Sequence, residues 1–208
     1  MALSGLYIVT PDWDDTQKLV EVTEQALLGG AAIVQYRHKF ADAALRHQQA
    51  GALQELCRRY QRSFIINDHI SLCLELDADG VHVGGTDASV AEARIQVGKQ
   101  KIVGASCYGD LQLAHLARDT GASYVAFGGF YPSRIKKYAV TTPVGIVAQA
   151  KSAILLPNVV IGGMTVGNAL PLVAAGADMV AAISSVYMAP DPQAAAREFA
   201  NLFAVRQA

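Results

Sequence analysis

The sequence predicts an α/β protein, a single-domain TIM-type (β/α)8 barrel over residues 1–208. Three observations predict it. Short β-rich apolar runs recur eight times along the chain. They are continuous runs rather than strict alternations, as strands buried on both faces of a parallel sheet require. Between them lie segments in which apolar residues return every three or four positions, the spacing of a helix face.

In chain order, "LYIVT" (6–10) is the first strand, and "TQKLVEVTEQALLGG" after it has helical spacing. "AIVQYR" (32–37), "SFIIND" (63–68), "GVHVG" (80–84) and "KIVGASC" (101–107) follow as strands two to five. "DLQLAHLARDTGA" is the helix before strand six, "YVAFGG" (124–129), and "NVVIGG" (158–163) is strand seven. In "GGMTVGNALPLVAAGAD" Thr165 can cap a helix and Gly176 can close it. "MVAAIS" (179–184) is strand eight, and "DPQAAAREFANLFAVRQA" makes the final helix. "GAS" and "GADM" read as repeated helix-to-strand corners. An open doubly wound sheet usually has fewer strands, and no "GxGxxG" follows strand one to support a dinucleotide site.

Hydrophobic residues make up 52% of the chain and charged residues 17%, with a formal net charge of -1. That balance gives no electrostatic case for nucleic acid or an anionic membrane as partner, so small molecules are the expected ligands. Cys57, Cys73 and Cys107 are odd in number and lack metal-ligand spacing, which reads as free thiols. The start carries no basic, apolar leader pattern, and no run of about 18 apolar residues suggests a membrane span. The expected location is the cytoplasm. The oligomeric state, a homo-oligomer included, is left open.

Function in such a barrel gathers at the carboxyl ends of the strands. Strand two ends in Gln35, Arg37 and Lys39, strand three in Asn67 and Asp68, strand five in Ser106. Asp87 follows strand four, Lys136 follows strand six, Gly162 and Gly163 close strand seven, and Ser184 closes strand eight. Asp68 and Asp87 follow adjacent strands, so their carboxylates can converge into the hard-oxygen environment that Mg2+ prefers. A single Asp after a strand is more often a helix cap; the pair near basic residues points to metal. Arg37, Lys39 and Lys136 are candidate anion clamps. Two anion regions result, one metal-assisted at strands two to four, the other of backbone and hydroxyl groups at strands six to eight. Two phosphorylated substrates meeting over one barrel would use both. No Ser-His-Asp or Cys-His set is evident; His82, between apolar residues, reads as a satisfied core histidine. Without a nucleophile, positioning and electrostatics must carry the chemistry.

Six stretches, in order, resemble thiamine phosphate synthases: "VQYRHK", "IINDH", "ADGVHVGGTD", "GASYVAFGGFYPSRIKK", "IGGM" and "GADMVAAISSVY". The resemblance runs through nearly the whole chain. It implies a Mg2+-dependent transferase joining an aminopyrimidine diphosphate to a thiazole phosphate, with release of pyrophosphate. It implies that Gln35, Arg37, Lys39, Asn67, Ser106 and Lys136 hold the pyrimidine and its diphosphate, with Arg37, Lys39 and Lys136 as the catalytic cations. Asp68 and Asp87 would carry the metal; Ser133, Arg134, Ile135, Gly163, Ile183 and Ser184 would hold the thiazole phosphate. Four positions depart from the family pattern: His38 replaces a Glu, Gly129 a Pro, Arg134 a Pro of the phosphate loop, and Ile135 the second hydroxyl residue of that loop. Arg134 or Ser133 would make up for the contact that Ile135 lacks.

Three other readings turn on particular residues. A thiazole tautomerase of this fold would carry a catalytic His where Gly129 stands and tends to lose the two aspartates. A non-catalytic barrel binding thiamine precursors would fit the changes at His38, Gly129 and Ile135 but not the survival of every metal and diphosphate candidate. A Schiff-base aldolase using Lys39 or Lys136 needs a desolvated amine, and neighbouring carboxylates would keep either lysine charged.

Overall fold

The computed structural model describes residues 3–84, 89–132 and 142–204. Strands β1 (Gly5–Val9), β2 (Ile33–Tyr36), β3 (Ser63–Asn67) and β4 (Gly80–Val83) are followed by β5 (Ile102–Tyr108), β6 (Tyr124–Gly128), β7 (Asn158–Ile161) and β8 (Met179–Ala182). All neighbours pair in parallel, and β8 closes onto β1 through Gly5↔Met179 to Ile8↔Ala182. The expected barrel is present, each strand close to its predicted place.

Helices α1 (Thr16–Leu28), α2 (Ala43–Arg59), α3 (Ile70–Glu75), α4 (Val90–Val97) and α5 (Leu111–Asp119) cover one part of the barrel. Helices α6 (Ile146–Ala153), α7 (Val166–Ala174), α8 (Ser184–Tyr187) and α9 (Pro192–Ala204) complete it. Short polar residues start them: Asp15, Asp42 and Asp110 each accept a backbone N–H of the first turn. Thr165 caps α7 as predicted, reciprocally with Asn168. Each such cap satisfies an otherwise orphaned donor and contributes about 1 kcal/mol.

Five helices turn into the next strand through one repeated corner. At Gly30, Gln61, Asp77, Gly121 and Gly176 the backbone takes positive φ, 104°, 53°, 52°, 99° and 116°. The following N–H then reaches back to close the helix, as Ala31 does to Ala26 and Ala177 to Leu172, each at 3.0 Å. This is the left-handed helix ending that suits glycine; two of the five corners accomplish it without one.

The strand pleat sorts side chains into two cores. Leu6, Ile8, Val34, Phe64 and Val81 face the helices, while Tyr7, Val9, Ile33, Ile65 and Tyr124 fill the barrel. Both faces are therefore buried, which is why the strands read as unbroken apolar runs. No helix among the described residues is long and apolar enough to cross a membrane.

Candidate active site

The inward-facing positions nearest the carboxyl ends of the strands line a cavity of about 360 Å3. Gln35 and Arg37 come from the end of β2, Asn67 from β3, His82 from β4 and Ser106 from β5. Across the barrel, Gly162, Gly163, Ile183 and Ser184 line it from the ends of β7 and β8. Of the residues named from the sequence, Gln35, Arg37, Asn67, Ser106, Gly163, Ile183 and Ser184 line this cavity, whereas Lys39 and Asp68 do not.

The floor is a single run of buried hydrogen bonds. Gln35 Nε2 donates to the Tyr7 hydroxyl at 2.8 Å, and the Tyr7 and Tyr124 hydroxyls are 2.7 Å apart. The Tyr124 hydroxyl is 2.9 Å from His82 Nδ1, and His82 Nε2 is 2.9 Å from Ser106 Oγ. Burial pushes the phenols of Tyr7 and Tyr124 well above the usual tyrosine range, so both keep their protons. His82 is thus a satisfied core histidine and a cavity residue at once. The two tyrosines were not singled out from sequence; their signal was a polar-tipped aromatic at an inward-facing position in strands one and six.

Arg37 is buried and lines the cavity, with Nη1 3.4 Å from Asp12 Oδ1. Asp12 also accepts the Lys39 backbone N–H at 2.8 Å. The Lys39 side chain is exposed and does not line the cavity. His38, the residue in place of the family's Glu, is buried and holds this loop together. Its Nδ1 accepts the N–H groups of Phe40 and Ala41 at 3.2 and 3.0 Å, and Nε2 is 3.1 Å from Asp14 Oδ1. Because Nδ1 accepts, the ring proton sits on Nε2 and is donated to Asp14. The substitution serves the loop that carries the cations, not the cavity.

Asp68 ends β3 with φ 63°, an uncommon conformation for a residue other than glycine or asparagine. Its N–H donates to the His82 carbonyl at 2.9 Å, which sets it beside the end of β4, and its carboxylate accepts from Asn67 Nδ2. Asp87, Ser133, Arg134, Ile135 and Lys136 lie outside the described residues. Among the described residues no three acids, histidines or cysteines converge. A half-buried carboxylate beside an amide at the cavity's edge has the hard-oxygen chemistry of a Mg2+ site that ligand oxygens and water would complete.

On the opposite wall Gly163 has φ 60°, and a Cβ there would lie 2.3 Å from the Pro132 carbonyl oxygen. Only glycine lets the β7 turn pass so close under the loop after β6. Ser185 Oγ donates to the Met164 carbonyl, tying the β7 and β8 ends together. Gly129 also lines the cavity, so no side chain projects from that position. Cys107 is buried, and burial pushes its thiol up to about 12, which removes it as a nucleophile.

A family model described as thiamine monophosphate synthase matches residues 6–186. The chain is 67% identical over 202 residues to the thiamine-phosphate synthase of Janthinobacterium sp. (strain Marseille), covering 97% of this chain and 98% of that one. It is 50% identical over 200 residues to that of Thiobacillus denitrificans, covering 96% and 95%. The solved structure of a thiamine phosphate pyrophosphorylase from Pyrococcus furiosus superposes with a TM-score of 0.85 at 29% identity, over 98% of this chain and 96% of that one.

Proposed function

The chain belongs to the thiamine monophosphate synthase family, and from that premise we propose how its cavity performs the transferase reaction. The substrates are 4-amino-5-hydroxymethyl-2-methylpyrimidine diphosphate and 4-methyl-5-(2-phosphooxyethyl)thiazole; the products are thiamine phosphate and pyrophosphate. The observation that carries the reading is one cavity lined from β2 and β3 by Arg37 and Asn67, and from β7 and β8 by Gly163 and Ser184.

The bond from the pyrimidine methylene carbon to the diphosphate oxygen breaks, and its electron pair leaves with the diphosphate. The electron-rich aminopyrimidine ring stabilises the cation left behind. The thiazole nitrogen then donates its lone pair to that carbon, forming the C–N bond. Arg37 in the cavity wall and Lys136 neutralise the departing charge, with Lys39 reaching in from the exposed loop after β2, and Asn67 and Gln35 orient the pyrimidine and its diphosphate. Ser133, Arg134, Ile135, Gly163, Ile183 and Ser184 hold the distant thiazole phosphate, so that the nitrogen is presented rather than encountered by diffusion. Asp68 and Asp87 would hold Mg2+, which would supply charge neutralisation at the diphosphate oxygens. No protein nucleophile is required. The bare Gly129 position supports synthase over tautomerase, which needs an imidazole there.

Purified protein incubated with both substrates and Mg2+ should yield thiamine phosphate and pyrophosphate in equal amounts. Recovery of both substrates unchanged would remove the reading.

A further inference from the structure

We propose that the buried hydrogen-bond chain from Gln35 through Tyr7, Tyr124 and His82 to Ser106 is directional, and that its direction presents Ser106 to the aminopyrimidine as a hydrogen-bond donor. Tyr7, Tyr124 and His82 are then positioning residues that act through the two ends of the chain. The choice of ligand rests on the reading of the cavity given above; the direction of the chain does not.

The direction starts at Gln35, whose Nε2 lies 2.8 Å from the Tyr7 hydroxyl. An amide nitrogen only donates, so the Tyr7 oxygen receives; the one acceptor within reach of its own proton among the described residues is the Tyr124 oxygen, 2.7 Å away. Tyr124 passes its proton to His82 Nδ1 at 2.9 Å. A neutral imidazole nitrogen that accepts carries no hydrogen, so the ring proton sits on Nε2 and points to Ser106 Oγ, also at 2.9 Å. Ser106, having accepted, has its own proton left, and Ser106 lines the cavity. At the other end Gln35 also lines the cavity, and its Oε1 accepts no hydrogen bond among the described residues.

The chain therefore offers a ligand one donor and one acceptor. A 4-aminopyrimidine has the matching pair, a ring-nitrogen lone pair and an exocyclic amine. The 4-oxo ring reverses both, with a ring N–H and a carbonyl oxygen, so donor would face donor. The opposite direction would give His82 a bare Nε2 able to take the Ser106 proton, the arrangement of a nucleophilic serine. In such sites a carboxylate holds Nδ1–H; here a phenol that burial keeps protonated stands in that place.

Long-range proton–nitrogen NMR spectra of ligand-free enzyme with nitrogen-15 histidine test the direction without any turnover. Neutral His82 should be the Nε2–H tautomer; the Nδ1–H tautomer would overturn the proposal. Kinetics test the consequence. Tyr124→Phe should lower kcat/KM for the aminopyrimidine diphosphate about 10- to 100-fold, with the inhibition constant for inorganic pyrophosphate unchanged. A parallel loss of pyrophosphate binding would mean that the hydroxyl only supports the fold, and would overturn the positioning role. Tyr7→Phe gives the same reading should Tyr124→Phe fail to fold. The 4-oxo analogue should bind at least roughly tenfold more weakly than the 4-amino compound; equal binding would also overturn it. Unaltered enzyme that makes no thiamine phosphate would sink the activity reading while leaving the tautomer result intact.

Discussion

The rings of His82 and Tyr124 lie stacked, with centroids 5.6 Å apart and planes inclined by 23°, although β5 runs between the strands that carry them. Gly104 makes this approach possible. A Cβ at that position would lie 2.1 Å from Tyr124 Cζ and 2.6 Å from His82 Nδ1.

Gly104→Ala should therefore push the rings apart and break the run of hydrogen bonds beneath the cavity. Stability should fall by roughly 1–3 kcal/mol, the cost of overpacking a filled core, and kcat/KM for the pyrimidine substrate should fall with it. Urea unfolding and steady-state rates measure the two effects. An alanine variant indistinguishable from the parent would show that the stack has room to spare.

Asp68→Ala should abolish turnover while leaving the fold intact, because the bond from this position to the end of β4 is made by the backbone N–H, which alanine keeps. Far-ultraviolet circular dichroism and thermal melting would report the fold, and Mg2+ titration of residual activity the site. Undiminished activity would remove the metal assignment from this residue.

Ile135→Thr should lower the half-saturating concentration of the thiazole phosphate, since a hydroxyl would add one donor to the phosphate loop. An unchanged value would show that Arg134 or Ser133 already supplies the contact.

Gln61 occupies a corner with φ 53°, and three of the five equivalent corners use glycine. Gln61→Gly should stabilise the protein. Left-handed backbone costs a side-chain-bearing residue about 1–2 kcal/mol, and glycine's added unfolded-state entropy takes back roughly 0.5–1 kcal/mol. The net gain should appear as a small rise in the urea midpoint; a fall would mean that the glutamine side chain holds the corner.

Cys57, Cys73 and Cys107 are buried, and burial pushes their thiols up to about 12, about 11 and about 12. The thiolate is the reactive form, so below these values each cysteine should resist a disulfide reagent in the folded protein. All three should react once guanidinium unfolds it. Rapid modification of one thiol at pH 8 without unfolding would reveal local opening of its helix or strand.

The barrel was legible because its signals are local. Apolar runs marked strands, Thr165 announced the start of α7, and glycine before alanine announced corners at Gly121 and Gly176. The rule that function lies beyond the strand ends then brought Gln35, Arg37, Asn67, Ser106 and Ser184 to one mouth, where the cavity is. His38 looked like a defect in a basic motif. Only its contacts reveal a clasp, because its partner Asp14 stands on another loop.

The sequence by itself determined the eight strands, their parallel order and the identity of the residues at their ends, because period and capping are properties of neighbours along the chain. Only the tertiary structure decided that Tyr7 meets Tyr124 and that His82 links Tyr124 to Ser106. Which inward residue stands beside which depends on the stagger of a closed barrel. That stagger is set by pairing between strands far apart in sequence, where no local pattern reaches.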